Sequence, residues 1–244
     1  RDVGIVRQLD WNHLEEVSQS LERGAELVVG IGGGTALDAS KYVALRHELP
    51  LRLVPSAVST GAIVHGIFAK WEGRKTVGSA SDWPYCDFEH VLVDHDLVLQ
   101  APWYLNTAGI GDVLCMYSGI GEWEHNAARG HALQVDTSIT DAAIKYCESI
   151  VREFTKTLDS DGALTSDSVR FIVTSIQERD DHQFTSPHLL STGHSMALVI
   201  EQATQRGLIH GEMAALGAII VCWATVGYER LASWLDACKV RFRP

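Results

Sequence analysis

Basic residues are scarce: 20 Lys and Arg stand against 31 Asp and Glu, a formal net charge of −11. That balance argues against nucleic acid or an anionic membrane surface as a partner, although it leaves room for a local basic pocket. No apolar run approaches the roughly 18 residues that a membrane-crossing helix needs. The first residues lack the basic-then-apolar pattern of a secretory signal. Cysteines are few, odd in number and scattered (Cys86, Cys115, Cys147, Cys222, Cys238), with no CxxC spacing. This is a reducing-compartment pattern, in which thiols are buried as small hydrophobes. The expectation is a soluble, cytoplasmic protein. Hydrophobic residues at 46% and charged residues at 21% are ordinary for a globular chain, and 244 residues suffice for one large or two medium domains.

Two histidines, His194 and His210, each stand beside a glycine in Ser191-Thr192-Gly193-His194-Ser195 and His210-Gly211-Glu212. Read singly, each is more simply an unrelated surface or core histidine. As a pair they offer two neutral imidazoles to a divalent ion, which would need an oxygen ligand from elsewhere. Asp112 in Ala108-Gly109-Ile110-Gly111-Asp112 is the candidate, because the flanking glycines permit close backbone approach.

Along the chain, Trp11 to Arg23 has helical spacing and Gly24 stops it. Leu27 to Ile31 is a short apolar run of the buried parallel-strand type, followed by Gly32-Gly33-Gly34-Thr35 and a helix over Ala36 to His47. Strand, glycine turn and helix together aim backbone N–H groups at an anionic phosphate. A second strand, Leu51 to Val54, ends at Pro55, and a hydroxyl-rich loop with Ser56, Ser59, Thr60 and Gly61 follows where ligands collect in open parallel sheets. Residues 66–76 read as a hairpin turning at Glu72-Gly73, with Lys75 on its second strand. Another strand is expected over His90 to Asp94, and β character continues to about Gln100.

Beyond Ala101 the pattern is helical: Asp112–Glu124, Thr137–Leu158, Ser166–Asp180, His188–Thr204, Gly211–Val226 and Tyr228–Lys239. The expected organisation is an α/β dinucleotide-binding domain (parallel sheet, Rossmann-like) over 1–102, then an all-α metal-binding domain over 103–244. A cleft between them would set a metal opposite a nucleotide. Asp180-Asp181 reads as a solvated loop, Glu212 as an acceptor supporting His210, and Trp123 as core.

Gly32-Gly33-Gly34-Thr35-Ala36-Leu37-Asp38-Ala39-Ser40-Lys41 resembles the GGGxxxDxxK motif of the iron-containing alcohol dehydrogenase, glycerol dehydrogenase and dehydroquinate synthase superfamily. Val54 to Ser59 resembles its second cofactor loop, and Val93 to Leu97 the strand closing its nucleotide domain. Gly109-Ile110-Gly111-Asp112, Gly193-His194 and His210-Gly211-Glu212 are similar to its metal motifs, in the same order. The sn-glycerol-1-phosphate dehydrogenase branch is the most similar. The resemblance implies Asp112, His194 and His210 as ligands of one divalent metal, zinc first, with iron or nickel as alternatives. It implies Gly32, Gly33, Gly34, Thr35, Ala36 and Asp38 at the NAD or NADP pyrophosphate, and Ser56 and Ser59 near the nicotinamide. Lys75 falls at a Gly-x-Lys position that approaches cofactor or substrate. Asp112, His65 and Lys75 are thus the candidate catalytic residues.

Departures accompany the matches. The branch carries an Asp where this chain has Thr60-Gly61-Ala62, and a second histidine where it has Leu198. His65 aligns with a family serine and is a candidate proton carrier. Family members are longer at both ends, so a fragment lacking the start of the first domain and the end of the second is expected. Three readings follow: a metal-dependent NAD(P)-linked oxidoreductase acting on a small polyol, polyol phosphate or aldehyde; a sugar-phosphate cyclase of the dehydroquinate synthase type; or a diverged non-catalytic paralogue. The first is preferred, with a homo-oligomer as the expected assembly.

Overall fold

The computed structural model describes residues 4–6, 9–21, 24–68, 71–72, 75–76, 85–132, 134–185, 189, 192–204 and 208–243. The chain divides into two compact units, one comprising Arg1–Ala57 with Ala62–Ala101, the other Val58–Gly61 with Pro102–Pro244.

In the first unit, Asp10 opens α1 (Trp11–Gln19) by accepting the Asn12 N–H at 3.0 Å. The helix closes at Ser20, whose N–H returns to Glu16 O, well short of Gly24. A strand–helix–strand unit follows: β1 (Val28–Gly32), α2 (Gly34–His47) and β2 (Leu51–Pro55). β1 and β2 pair in parallel, Val28 against Leu51 through Gly32 against Pro55. The first strand is not buried on both faces, contrary to its apolar composition. Gly30 is buried, whereas Val29 and Ile31 are 48% and 63% exposed. Period-2 alternation turns them to the opposite side of the sheet, away from the α2-packed face. Leu37, Val43, Leu51, Leu53 and Ile63 form the core beneath α2, with Tyr42 edge-on to Trp11 at 5.1 Å.

A short 3₁₀ turn covers Gly61–Ile63, and β3 (Trp71–Glu72) pairs antiparallel with β4 (Lys75–Thr76). β5 (His90–Val91) completes a parallel sheet of order β1-β2-β5. The β character expected to run on to Gln100 stops there. Asp94 instead caps α3 (His95–Gln100), its carboxylate accepting the Leu97 N–H at 3.1 Å.

The second unit is all helix among the described residues: α4 (Trp103–Leu114), α5 (Met116–Ala128), α6 (Thr137–Lys156), α7 (Ser166–Thr185), α8 (Thr192–Thr204), α9 (His210–Ala224) and α10 (Glu229–Ala237). Asp112 does not begin a helix. It lies near the end of α4, which starts behind Pro102 and is buried continuously from Asn106 to Leu114. The expected Asp112–Glu124 helix is thus two helices meeting at Cys115. α6 begins at Asp136, which accepts the Ser138 N–H at 2.9 Å, and buries Ile150 and Phe154. α7 runs past Asp180 to Thr185, so the expected loop at Asp180 is helix. α8 starts at Thr192, and His188 lies outside the described residues. Among the described residues no helix is long and apolar enough to cross a membrane.

Candidate functional site

Glycine determines how closely the helices of the second unit cross. A Cβ built on Gly211 would collide with Ala108 O, and one on Gly111 would stand 2.7 Å from Gly211 O. A Cβ on Gly193 would meet the Ala218 backbone at 2.8 Å, and one on Gly217 would collide with Gly193 O. Without these side chains α4 contacts α9, and α9 contacts α8, backbone to backbone. Each crossing lies beside a candidate ligand: Asp112 follows Gly111, His210 precedes Gly211, and His194 follows Gly193. The start of α8 is also anchored, because the Glu122 carboxylate accepts the Thr192 N–H at 2.8 Å and contacts its hydroxyl.

One oxygen and two nitrogens converge as a result. His194 Nε2 lies 2.8 Å from His210 Nε2, and Asp112 Oδ1 lies 3.8 and 3.7 Å from the two. Ligand atoms of the three residues all fall within 4.8 Å of one another, the one such group among the described residues. A tetrahedral ion with bonds of about 2.0–2.1 Å spaces its ligands roughly 3.4 Å apart, a value that the three separations bracket. The donor set, two imidazoles and one carboxylate, therefore fits a divalent ion.

Asp112 is 1% exposed. Burial alone would push its carboxyl up, but the Arg179 guanidinium, the two histidines and the Gly61 N–H outweigh burial and hold it well below the usual carboxylate range. Burial lowers His194 to about 4 against the attraction of Asp112, with His210 and Arg179 adding to the lowering. At neutral pH its imidazole is uncharged and keeps a lone pair for a metal.

Arg179 has no local sequence signal. Its Nη1 and Nη2 donate to Asp112 Oδ1 and Oδ2 at 3.2 and 3.3 Å, and its Nε lies 2.7 Å from Asp180 Oδ1. The Asp180 carboxylate, expected in solvent, is therefore part of a buried ion pair. Gly61, which stands near the absent family carboxylate, contributes its N–H to Asp112 Oδ2 at 3.1 Å. Asn106 holds the same segment by accepting the Val58 N–H at 3.0 Å. Glu212 does not support His210 as expected. Its carboxylate is taken by Arg241 at 2.6 and 3.2 Å, and that guanidinium stacks 3.7 Å over Tyr104.

In the first unit, Gly32 has φ +145° and Gly33 occupies the N-cap of α2 with no side-chain hydrogen bond. A Cβ on Gly33 would meet nothing within 4 Å, so open space adjoins the turn. Gly34 and Thr35 open the first turn of α2, where a helix presents unpaired N–H groups and its positive end, while the Ala36 N–H donates to Gly33 O at 2.9 Å. The Ser56 N–H donates to Gly32 O at 2.9 Å and ties the end of β2 to the turn. This open turn fits a pyrophosphate.

Asp38 differs from the expected cofactor contact. It is buried and bound at 3.0 Å by Lys41, which is itself fully buried and donates to Ala62 O at 2.7 Å and Ile67 O at 3.2 Å. Helical geometry explains this, since position i+3 lies directly above the aspartate. The motif's Asp and Lys thus brace the 62–67 segment. His65 lies on that segment, its Nδ1 3.1 Å from Ile67 O. Lys75 pairs with Glu72 in the β3–β4 register, and its side chain lies outside the described residues. Ser59 belongs to the second unit with Asp112, His194 and His210, whereas Ser56, His65 and Lys75 belong to the first.

Residues 2–102 match the sequence profile of a family described as iron-containing alcohol dehydrogenase. A glycerol-1-phosphate dehydrogenase [NAD(P)+] of Natronomonas pharaonis is 31% identical over 123 residues, 50% of this chain and 34% of that protein. Its counterpart from Thermoplasma acidophilum is 24% identical over 229 residues, 89% of this chain and 60% of that protein. The chain therefore spans less than two thirds of the length of these curated relatives. Among solved structures, a probable glycerol dehydrogenase from Sinorhizobium meliloti 1021 superposes with a TM-score of 0.67 at 22% identity, covering 96% of this chain and 67% of that one.

Proposed function

We propose that this chain, whose residues 2–102 match the iron-containing alcohol dehydrogenase profile, belongs to that superfamily and is a metal-dependent, NAD(P)-linked oxidoreductase. The proposed reaction moves hydride between a nicotinamide and a small polyol, polyol phosphate or aldehyde. The observation that carries it is the meeting of Asp112, His194 and His210 ligand atoms within 4.8 Å. These residues would hold one divalent ion, with zinc as the preferred occupant of a site with two nitrogens and one oxygen. Bound there, the ion supplies Lewis-acid polarisation of a substrate carbonyl or hydroxyl oxygen, and the nicotinamide supplies or accepts the hydride.

The chain's own residues do the rest. His194 presents a neutral imidazole nitrogen and His210 a second ring nitrogen, while Asp112 contributes the one carboxylate among the three ligands. Gly32 to Ala36 would seat the cofactor pyrophosphate on the N-terminus of α2. Ser56 would contact the cofactor beyond β2, and Ser59, on the segment that carries Gly61, would do so beside the metal ligands. His65 is the proposed carrier of the substrate proton, and Lys75 the proposed contact for a phosphate or carboxylate.

Elemental analysis of the purified protein, followed by a nicotinamide-absorbance screen over polyols, triose phosphates and aldehydes, tests the reading. Stoichiometric metal with steady cofactor turnover is the expected result. Turnover without net change in nicotinamide would point to the cyclase chemistry instead. Absence of both metal and turnover would remove the proposed activity.

A further inference from the structure

We propose that Arg179 is a resident counter-cation of the metal centre: a positioning residue that fixes Asp112 toward the two imidazoles and, by its own positive charge, weakens binding of the ion. The inference rests on reading Asp112, His194 and His210 as a metal triad. It concerns a residue outside that triad, on a different helix.

The geometry is that of a fork on a carboxylate. Nη1 of Arg179 donates to Asp112 Oδ1 at 3.2 Å and to the Asp112 carbonyl oxygen at 3.2 Å, and Nη2 donates to Oδ2 at 3.3 Å. The Gly61 N–H occupies a second position on Oδ2 at 3.1 Å. An ionised carboxylate has about four acceptor positions, of which three are filled here. The remaining one is on Oδ1, the oxygen 3.8 and 3.7 Å from His194 Nε2 and His210 Nε2. Arg179 thus fixes which oxygen faces the imidazoles, and in which plane. A lysine ammonium, being a point charge, cannot span both oxygens in this way.

Arg179 and Asp112 are buried to the same degree, with side chains 3% and 1% exposed. Asp180 engages the other edge of the guanidinium, its Oδ1 2.7 Å from Nε. Two carboxylates and one guanidinium leave a net charge of −1 beside the imidazoles. A divalent ion makes that +1, and without Arg179 the sum would be zero. The guanidinium therefore gives Asp112 a partner before any ion arrives, and it repels the ion once bound in surroundings where screening is weak. Affinity is exchanged for a carboxylate that needs no rearrangement on metal binding.

The test is thermal unfolding of chelator-stripped protein with and without zinc, together with zinc affinity by competition against a chromophoric chelator. Wild type, Arg179→Gln, Arg179→Lys and His194→Ala are compared. The metal-free Arg179→Gln protein should melt below wild type, its zinc-bound form should regain most of that loss, and its zinc affinity should rise about tenfold or more. Arg179→Lys, which keeps the charge without the fork, should show no such tightening. An equal fall in Tm with and without zinc, or a zinc affinity within about threefold of wild type, would overturn the proposal by leaving Arg179 a structural role alone. If Arg179→Gln does not fold without zinc, recovery on refolding with zinc supports the proposal and failure to recover overturns it. Absence of any zinc effect in wild type, matching His194→Ala, would overturn the triad itself and this inference with it.

Discussion

Gly111 and Gly211 face each other where α4 crosses α9, so closely that a Cβ on Gly111 would stand 2.7 Å from Gly211 O and one on Gly211 would collide with Ala108 O. The neighbours of this pair are Asp112 and His210, two of the three candidate ligands. Helix approach and ligand spacing are therefore the same geometric quantity at this point. Replacing Gly211 by Ala should force the helices apart at a cost of about 1–3 kcal/mol, of which better helix propensity returns less than about 1 kcal/mol. The shift of His210 should also weaken zinc binding by about tenfold or more. Urea unfolding and zinc competition on Gly211→Ala check both, and a variant matching wild type in each would show that this contact does not set the site.

Lys41 and Asp38 make a different kind of prediction, because their pair is buried in the first unit and shared with the carbonyls of Ala62 and Ile67. Lys41→Met leaves Asp38 buried without its ion-pair partner and should cost about 3–5 kcal/mol. The double variant Asp38→Asn, Lys41→Met should recover part of that loss. Denaturant titration gives the result directly. An additive double variant would contradict the pairing.

The five cysteines are all free and buried. Burial raises Cys147, Cys222 and Cys238 from 9.0 to about 12, with the charge of Glu148 adding to the rise at Cys147. Above pH 9 the unfolded chain releases these protons while the folded protein keeps them, so stability must fall as pH rises from 9 toward 12. The expected loss is about 1 kcal/mol per thiol by about pH 10. Urea midpoints at rising pH measure it. Ready thiol modification of the folded protein at mild pH would contradict it.

The parts of this fold that can be read in sequence are those with local causes. The parallel sheet follows from apolar runs ended by glycine and proline, and the β3–β4 hairpin from Glu72-Gly73. Tyr146, Ile150 and Phe154 mark α6 by their spacing. Other features depend on distant chain. Asp112 looks like an acidic helix start, but α4 is buried on all sides from Asn106 to Leu114 and carries no amphipathic stripe there to lead back to its true beginning at Trp103. Asp94 looks like the end of a strand until its carboxylate is seen to cap α3.

Arg179 is the sharpest instance at the site. Its partner Asp112 lies 67 positions away, and Arg179-Asp180-Asp181 reads as a solvated charged run unless that partner is known. Glu212 shows the reverse error, since adjacency to His210 suggested support, yet Arg241, 29 positions on, takes the carboxylate. The glycines beside the candidate ligands could be seen in sequence as places of close approach. Which backbone approaches each of them is a tertiary fact.

Metal stoichiometry of the zinc-supplied protein, measured beside Asp112→Asn, His194→Ala and His210→Ala, bears most directly on the central assignment. One ion per wild-type chain, lost in each single variant while the helical circular-dichroism signal is retained, is the result the convergence of these three side chains requires. An equal metal content in wild type and all three variants, or none in any of them, would contradict it.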